Sequence, residues 1–290
     1  MPDGPHPRLA DALNNLGWVL GEMGQYKEAE QLYREALEMQ RILVGDTHPF
    51  IAIGLNNVAF VLQQQGKYDA AEALYLDAIT MQRKLLGEDH PDVALALNNL
   101  AYLAHDKGDL KKSARMSRDS LEMYRRTLGE EHPLVAQGMN SLAMWLIEDG
   151  DLASAEPLVR QAVEMRRKLL GPDHSHVATS MTLLAGLLID TGRYEEALAL
   201  ALEAKAIWIK ALAPGHWRLA SAEAVEGAAL AGLGRYDEAE KLLLASYGVL
   251  HQEKGAAHVY VVNSSRWLAK LYQSMGQPAK AARYNASQHG

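Results

Sequence analysis

One interval governs this chain. His6, His48, His90, His132, His174, His216 and His258 follow one another at steps of 42 residues, with no insertion or deletion anywhere in the series. Gly24, Gly66, Gly108, Gly150, Gly192, Gly234 and Gly276 keep the same step, and a small residue follows each five positions later, from Ala29 to Ala281. Whole phrases recur around the histidines: VGDTHPFIAIGLNNVA, LGEDHPDVALALNNLA, LGEEHPLVAQGMNSLA. A fixed period between about 20 and 50 residues is the mark of stacked units, each covered by its neighbours because none can bury its apolar face alone. The pattern predicts a single solenoid domain over 1–290, with repeats at roughly 7–48, 49–90, 91–132, 133–174, 175–216, 217–258 and 259–290.

Each unit reads as a helical hairpin. Pro49 and Pro91 suit the first turn of a helix, where a missing N–H costs nothing, and the glycine that follows suits the left-handed turn that ends it. A second helix follows, YKEAEQLYREALEMQRILVG from Tyr26 to Gly45, with Ala29, Leu32, Ala36 and Leu37 in helical spacing. The last unit ends in a short polar stretch, QPAKAARYNASQHG, expected to cap the array. Plentiful Ala, Leu, Glu and Met against only two Phe favour helix over sheet, and the expected fold class is all-α with about fourteen helices.

The spacing Leu13-x2-Leu16-Gly17-x2-Leu20 followed by Ala29-x3-Tyr33 resembles the tetratricopeptide repeat, with Leu in place of its Trp and Tyr, and Tyr in place of its Phe. That repeat usually has about 34 residues. The longer form here, with LNN opening the first helix, resembles the kinesin-light-chain type. PGHWRLA at Pro214, with GRYDEAEKLLLASY and LYQSMGQPAKAARY after it, resembles the repeat arrays attached to bacterial serine/threonine kinases, although no kinase motif is present. The resemblance implies a right-handed superhelical solenoid whose first helices line a concave groove.

Successive helical residues turn by 100°, so the faces can be sorted. Leu13, Leu16, Gly17 and Leu20 fall on one side of the first helix and are expected to be core. Asn15, Trp18 and Glu22 fall on the other. Read at the repeat period, that other side carries an aromatic and thioether row, Trp18, Phe60, Tyr102 and Met144. Beside it runs a polar row, Glu22, Gln64, Asp106 and Glu148, continued by Asp190. Asn15, Asn57 and Asn99 form an amide row with Ser141 after them, and Asn14, Asn56, Asn98 and Asn140 form a parallel ladder. An amide both donates and accepts, so such rows can pair with the main chain of an extended peptide. Rings supply contact area, and the acids would attract Lys or Arg. The ladders can equally tie adjacent helices together.

Other functions are disfavoured. The net charge of −7 speaks against nucleic acid, whose binding rests on basic residues. With no cysteine there is neither a thiolate nucleophile nor a sulfur-rich metal site. The aligned histidines lie one per unit, too far apart to share a metal at bonds of about 2 Å, and are expected to assist entry into the first helix. Basic residues at the ends of the second helices, Arg41, Arg83-Lys84, Arg125-Arg126 and Arg167-Lys168, are expected to complement the helix dipole. No nucleophile with its base and no phosphate loop is present, so neither enzyme activity nor a cofactor is expected. Glu223 and Glu226 break the pattern, standing where Leu13 and Leu16 stand in the first unit, and are expected to be accommodated by a local rotation of that helix or by a salt bridge to Arg218 or to a neighbouring unit. The N-terminus has no secretory pattern, and no run reaches the roughly 18 apolar residues of a membrane span. The expected protein is a cytoplasmic scaffold that grips a Lys/Arg-containing partner segment in its groove. A self-assembling array joined through the solenoid ends, or the regulatory part of a larger signalling protein, are the alternatives.

Overall fold

Every repeat opens on a histidine cap. Nδ1 of His6, His48, His90, His132, His174, His216 and His258 accepts a hydrogen bond from the backbone N–H two residues on, at 3.1–3.3 Å. The imidazole satisfies one of the orphan donors of the first helical turn, a role usually given to Ser, Thr, Asp or Asn. His90→Ala is therefore expected to lower stability by about 1 kcal/mol, read as a shift in the thermal midpoint. His90→Asn should keep most of it, and if both variants melt like the parent the histidines have another purpose.

The computed structural model describes residues 5–256 and 258–285. Among them are fourteen helices. The first helices of the hairpins are α1 (Pro7–Glu22), α3 (Pro49–Gln64), α5 (Pro91–Asp106), α7 (Pro133–Glu148), α9 (Ser175–Asp190), α11 (Trp217–Gly232) and α13 (Val259–Ser274). The second helices are α2 (Tyr26–Val44), α4 (Tyr68–Leu86), α6 (Leu110–Leu128), α8 (Leu152–Leu170), α10 (Tyr194–Ala211), α12 (Tyr236–Lys254) and α14 (Pro278–Asn285). The expected all-α solenoid of about seven hairpins is what the chain forms. Of the terminal cap, α14 is seen, and the last five residues, 286–290, lie outside the described residues, as do residues 1–4. The hairpins turn on glycines with positive φ, as at Gly66 (75°), and the second helices end on another, as at Gly87 (96°). After α10 the register alters, and the left-handed residue is Gly215, following Pro214.

The chain divides into two compact units, Met1–Trp145 and Leu146–Gly290, with the cut inside α7. In the first, α3 meets α5 directly; in the second, α11 meets both α9 and α13. Among the described residues the second helices make no comparable contact with one another. Within each unit the first helices thus form the inner layer. Their small residues face their own hairpin partner, as at Gly17, where a Cβ would lie 3.0 Å from the ring of Tyr33. Small residues also let a first helix approach the second helix of the preceding hairpin, as where Gly54 of α3 lies beside Leu37 and Gln40 of α2.

That geometry corrects one expectation. Val58, Leu100 and Leu184 are buried, whereas Leu16, the same position in α1, is 49% exposed. It points where a preceding second helix would pack, and none precedes it among the described residues. Leu9 and Val19 are exposed for the same reason.

Ion pairs stitch neighbouring hairpins along the turn edge. Glu30 accepts from Gln65 and Lys67, Glu72 from Lys107 and Lys112, and Glu240 from Lys280. Arg160 and Arg193 clasp Glu156 and Glu196. The hydrogen bonds from Lys107 and Lys112 hold the Glu72 carboxyl below the usual range, and Glu72 with Asp69 pushes the Lys107 ammonium up to about 12. The basic residues expected to serve the helix dipole also pair with loop acids, Arg83 with Glu88, Arg125 with Glu130 and Arg126 with Asp89.

Candidate functional site

The inner face of the first unit carries the rows read from the sequence. Trp18 is 62% exposed and Phe60 40%, while Tyr102 and Met144 are half-buried. Asn15 is exposed, Asn57 and Asn99 are half-buried, and Glu22, Gln64 and Asp106 are exposed at the C-terminal ends of their helices. Glu148 is also exposed and belongs to the second unit. The parallel ladder behaves differently. Asn14 is half-buried, Asn56, Asn98 and Asn140 are buried, and Oδ1 of Asn14, Asn56 and Asn98 is enclosed without a hydrogen bond from the protein. Those amides sit between helices, about 100° round from the open row. The open amide row is therefore Asn15, Asn57 and Asn99.

Several groups are held in place from behind. Asp106 accepts from Nε2 of Gln63 at 2.6 Å and lies 3.3 Å from Nδ1 of His105, while the buried Tyr75 hydroxyl donates to Oε1 of Gln63 at 3.2 Å. A hydrogen-bonded chain through α4, α3 and α5 thus fixes the carboxylate. Burial, with Asp106 close by, pushes the Tyr75 phenol up, so it stays a donor. The Tyr102 ring meets Trp145 edge-on at 4.9 Å, and its hydroxyl lies 3.4 Å from the Ser141 hydroxyl. Phe60 passes over Gly21 of α1, its ring 3.9 Å from where a Cβ would be. Trp18 and Phe60 make no ring-to-ring contact with each other, so they stand as separate ridges.

Three residues on this face were missed in the sequence. Phe50, Ile53 and Leu95 are 53%, 43% and 38% exposed. Ile53 lies seven residues before Phe60, almost two full turns, so both share one stripe. The face arithmetic carried back to the first two turns of each helix would have found them. With Trp18 and Phe60 they place five exposed apolar side chains on α1, α3 and α5, among the amides and acids of the same helices.

The second unit fills the corresponding face with its own side chains. Asp190 on α9 accepts from Arg266 of α13 at 3.0 Å, with Lys270 Nζ 4.0 Å away. This bridge crosses α11, which carries Ala224, Ala228 and Gly232 at the equivalent positions. Trp267 and Val225, in the amide-row position, are buried. A Cβ at position 232 would lie 2.3 Å from the Tyr194 ring, so glycine is what lets that ring in. Glu226 is buried and receives Nζ of Lys205 from α10 at 2.5 Å, so the bridge goes to the neighbouring hairpin, not to Arg218. Among the described residues no group of three or more His, Asp or Glu side chains is placed to hold a metal, and no helix is long and apolar enough to cross a membrane.

Solved structures share this fold. BtubC from P. vanneervenii is 22% identical, with a TM-score of 0.62 over 81% of this chain and 91% of that one. Kinesin-light-chain TPR-like repeats from Podosopora anserina are 24% identical, with a TM-score of 0.57 over 71% and 98%. A Rap protein complexed with competence and sporulation factor is 15% identical, with a TM-score of 0.67 over 95% and 74%. No curated protein sequence gives a significant match. The family model described as tetratricopeptide repeat matches residues 9–50, and then 50–126, 92–168 and 134–210 in overlapping pairs of hairpins. Matched continuously from residue 9 to residue 210 of 290, and built of stacked hairpins at that repeat's positions, the chain belongs to the tetratricopeptide repeat family.

Proposed function

We propose that this protein is a non-catalytic cytoplasmic scaffold that holds an extended segment of a partner polypeptide, carrying Lys or Arg, on the inner face of its first unit. The observation that carries this reading is the exposure of Trp18, Phe50, Ile53, Phe60 and Leu95 on one face of neighbouring inner helices. Contiguous apolar surface rimmed by polar groups marks an interaction site, and aromatic residues dominate binding energy. Asn15, Asn57 and Asn99 would pair with the partner's main chain, with Asn14, Asn56, Asn98 and Asn140 stiffening the layer behind them. Glu22 and Asp106 would draw the basic side chains, with Gln64 between them and Met144 extending the apolar row. A structural neighbour complexed with a factor supports the view that arrays of this fold take partners. The repeat register runs through α7 without insertion, which supports a single run of repeats.

A peptide-display selection on the whole protein tests the reading. Enriched sequences should contain Lys or Arg and should bind Asp106→Lys about tenfold more weakly in low salt, a loss that shrinks above roughly 0.15 M salt as the charges are screened. If selected peptides bind Asp106→Lys and Trp18→Ala as tightly as the parent, the inner face is not the site.

A further inference from the structure

Three departures from the repeat meet at one point of the second unit. Trp217 opens α11 where Pro7, Pro49, Pro91 and Pro133 open earlier first helices, and Arg218 follows it. Lys254 ends α12 where Val44, Leu86, Leu128 and Leu170 end earlier second helices. The guanidinium of Arg218 lies 4.4 Å from the centre of the Trp217 ring, and Nζ of Lys254 lies 4.0 Å from it. The two charges are therefore no more than about 8.4 Å apart, close to one screening length at physiological salt. The face of a tryptophan attracts cations, which offsets part of their mutual repulsion and keeps both beside one ring. An anion shared between them removes the rest. The Tyr260 ring of α13 lies 5.4 Å from that of Trp217, and Val259 before it is 43% exposed. Trp217, Arg218, Lys254 and Tyr260 are all half-buried, so each is held in place and still reaches solvent.

The loops along this edge also change character. Earlier ones carry Asp46, then Glu88 with Asp89, then Glu130 with Glu131 just before the histidine, whereas those before α11 and α13 read APGH and GAAH. Asp173, before α9, pairs with Lys210 at 3.0 Å, and Glu253 is exposed on α12. Buried Arg166 donates to the His176 carbonyl at 2.9 Å. Burial, and then the charges of Arg166, His174 and Arg218, hold the His176 imidazole below its ordinary pKa, which marks the field here as positive.

We propose that this edge of the second unit is a docking surface for an acidic stretch of a partner polypeptide, whose carboxylates take Arg218 and Lys254 while its carbon chains lie against Val259 and the Tyr260 ring. Arg offers a carboxylate two parallel N–H donors, and Lys adds a compact charge beside it. So few cations neutralise too few phosphates for nucleic acid, which the net charge of −7 also repels. The surface takes the charge opposite to the one drawn by the inner face of the first unit, so either can fail without the other.

Fluorescence anisotropy with the full chain tests this, using a labelled peptide of alternating Glu and Ala and its Gln-for-Glu counterpart. The Glu peptide is expected to bind about tenfold more tightly or better, and Arg218→Glu or Lys254→Glu should each remove about a factor of ten. Lys241→Glu is the control: Lys241 is exposed on the same helix, roughly 20 Å before Lys254, and should change binding less than about twofold. Trp217→Leu alters no charge and should still weaken binding several-fold, because the ring holds the cations together. Circular dichroism should show Lys254→Glu melting like the parent, so that variant decides the matter if Trp217→Leu melts early. Equal affinity for the two peptides, or failure of both to bind, overturns the proposal. So does an equal loss from Lys241→Glu, which would reduce the effect to overall charge. Displacement of the Glu peptide by inorganic phosphate at matched ionic strength overturns the polypeptide occupant in favour of a small anion.

Discussion

Trp145→Ala is expected to cost the first unit about 4 kcal/mol, the largest effect of any single truncation considered. Trp145 is among the largest fully enclosed side chains, 2% exposed. Its indole stacks on His105 at 4.7 Å, meets Tyr102 edge-on, and donates to the hydroxyl of Ser117 at 2.8 Å. Truncation removes the transfer energy of a large ring, opens a cavity that rigid helices cannot collapse into, and leaves the enclosed Ser117 hydroxyl without this donor. Chemical denaturation checks the magnitude, and Trp145→Phe separates the terms. Phenylalanine keeps most of the volume and should lose only about 1–2 kcal/mol, mainly the hydrogen bond. Substituting Ser117→Ala in that background should then cost little, because both partners are gone. A loss below about 1 kcal/mol for Trp145→Ala would mean the helices do close over the space.

The same residue marks how far the sequence could be read. Its position was legible as apolar, since Val61, Leu103 and Leu187 hold it in other hairpins and all are buried. The reason for a tryptophan was not. The second helices carry Tyr33 and Tyr75 at the position where α6 carries Ser117, and the smaller side chain opens the space that the next hairpin fills with an indole. Such trades of volume between neighbouring hairpins leave the repeat pattern intact, so periodicity detects the positions and not the exchange. The hairpins, the histidine caps and the open Trp18–Phe60 face follow from period and angle alone. The fate of the Asn14–Asn140 ladder did not follow, because a rotation of 100° separates exposure from enclosure and both ladders look alike in composition. The closure of the second unit by Arg266 on Asp190 was also out of reach, since it joins hairpins two repeats apart.

A second large loss is expected for Lys205→Met, up to about 3 kcal/mol near neutral pH. Lys205 stands in α10 where Leu37, Ile79, Leu121 and Val163 stand in earlier hairpins, so it points at the next first helix. There it meets Glu226, which holds the place of Leu16. The exchange of an apolar pair for an ionic pair was visible at both ends by counting in steps of 42 from Val163 and from Leu184. Removing the lysine leaves Glu226, with 11% of its side chain exposed, and half-buried Glu223 facing α10 without their cation. Buried charge stripped of its partner typically costs about 3–5 kcal/mol, and the lower figure applies because a quarter of the lysine side chain reaches solvent. The pH dependence carries the diagnosis. Burial already pushes the Glu223 carboxyl up, with Lys205 opposing and Glu226 reinforcing the rise. A carboxyl raised in the folded state weakens folding above its folded pKa and ceases to do so as acid protonates it. The gap between Lys205→Met and the parent should therefore narrow as pH is lowered from about 7 towards 5. Adding Glu226→Gln to Lys205→Met should recover much of the stability at neutral pH. A gap of constant size across that range, unmoved by Glu226→Gln, would assign the loss to packing of the lysine stem and not to stranded charge.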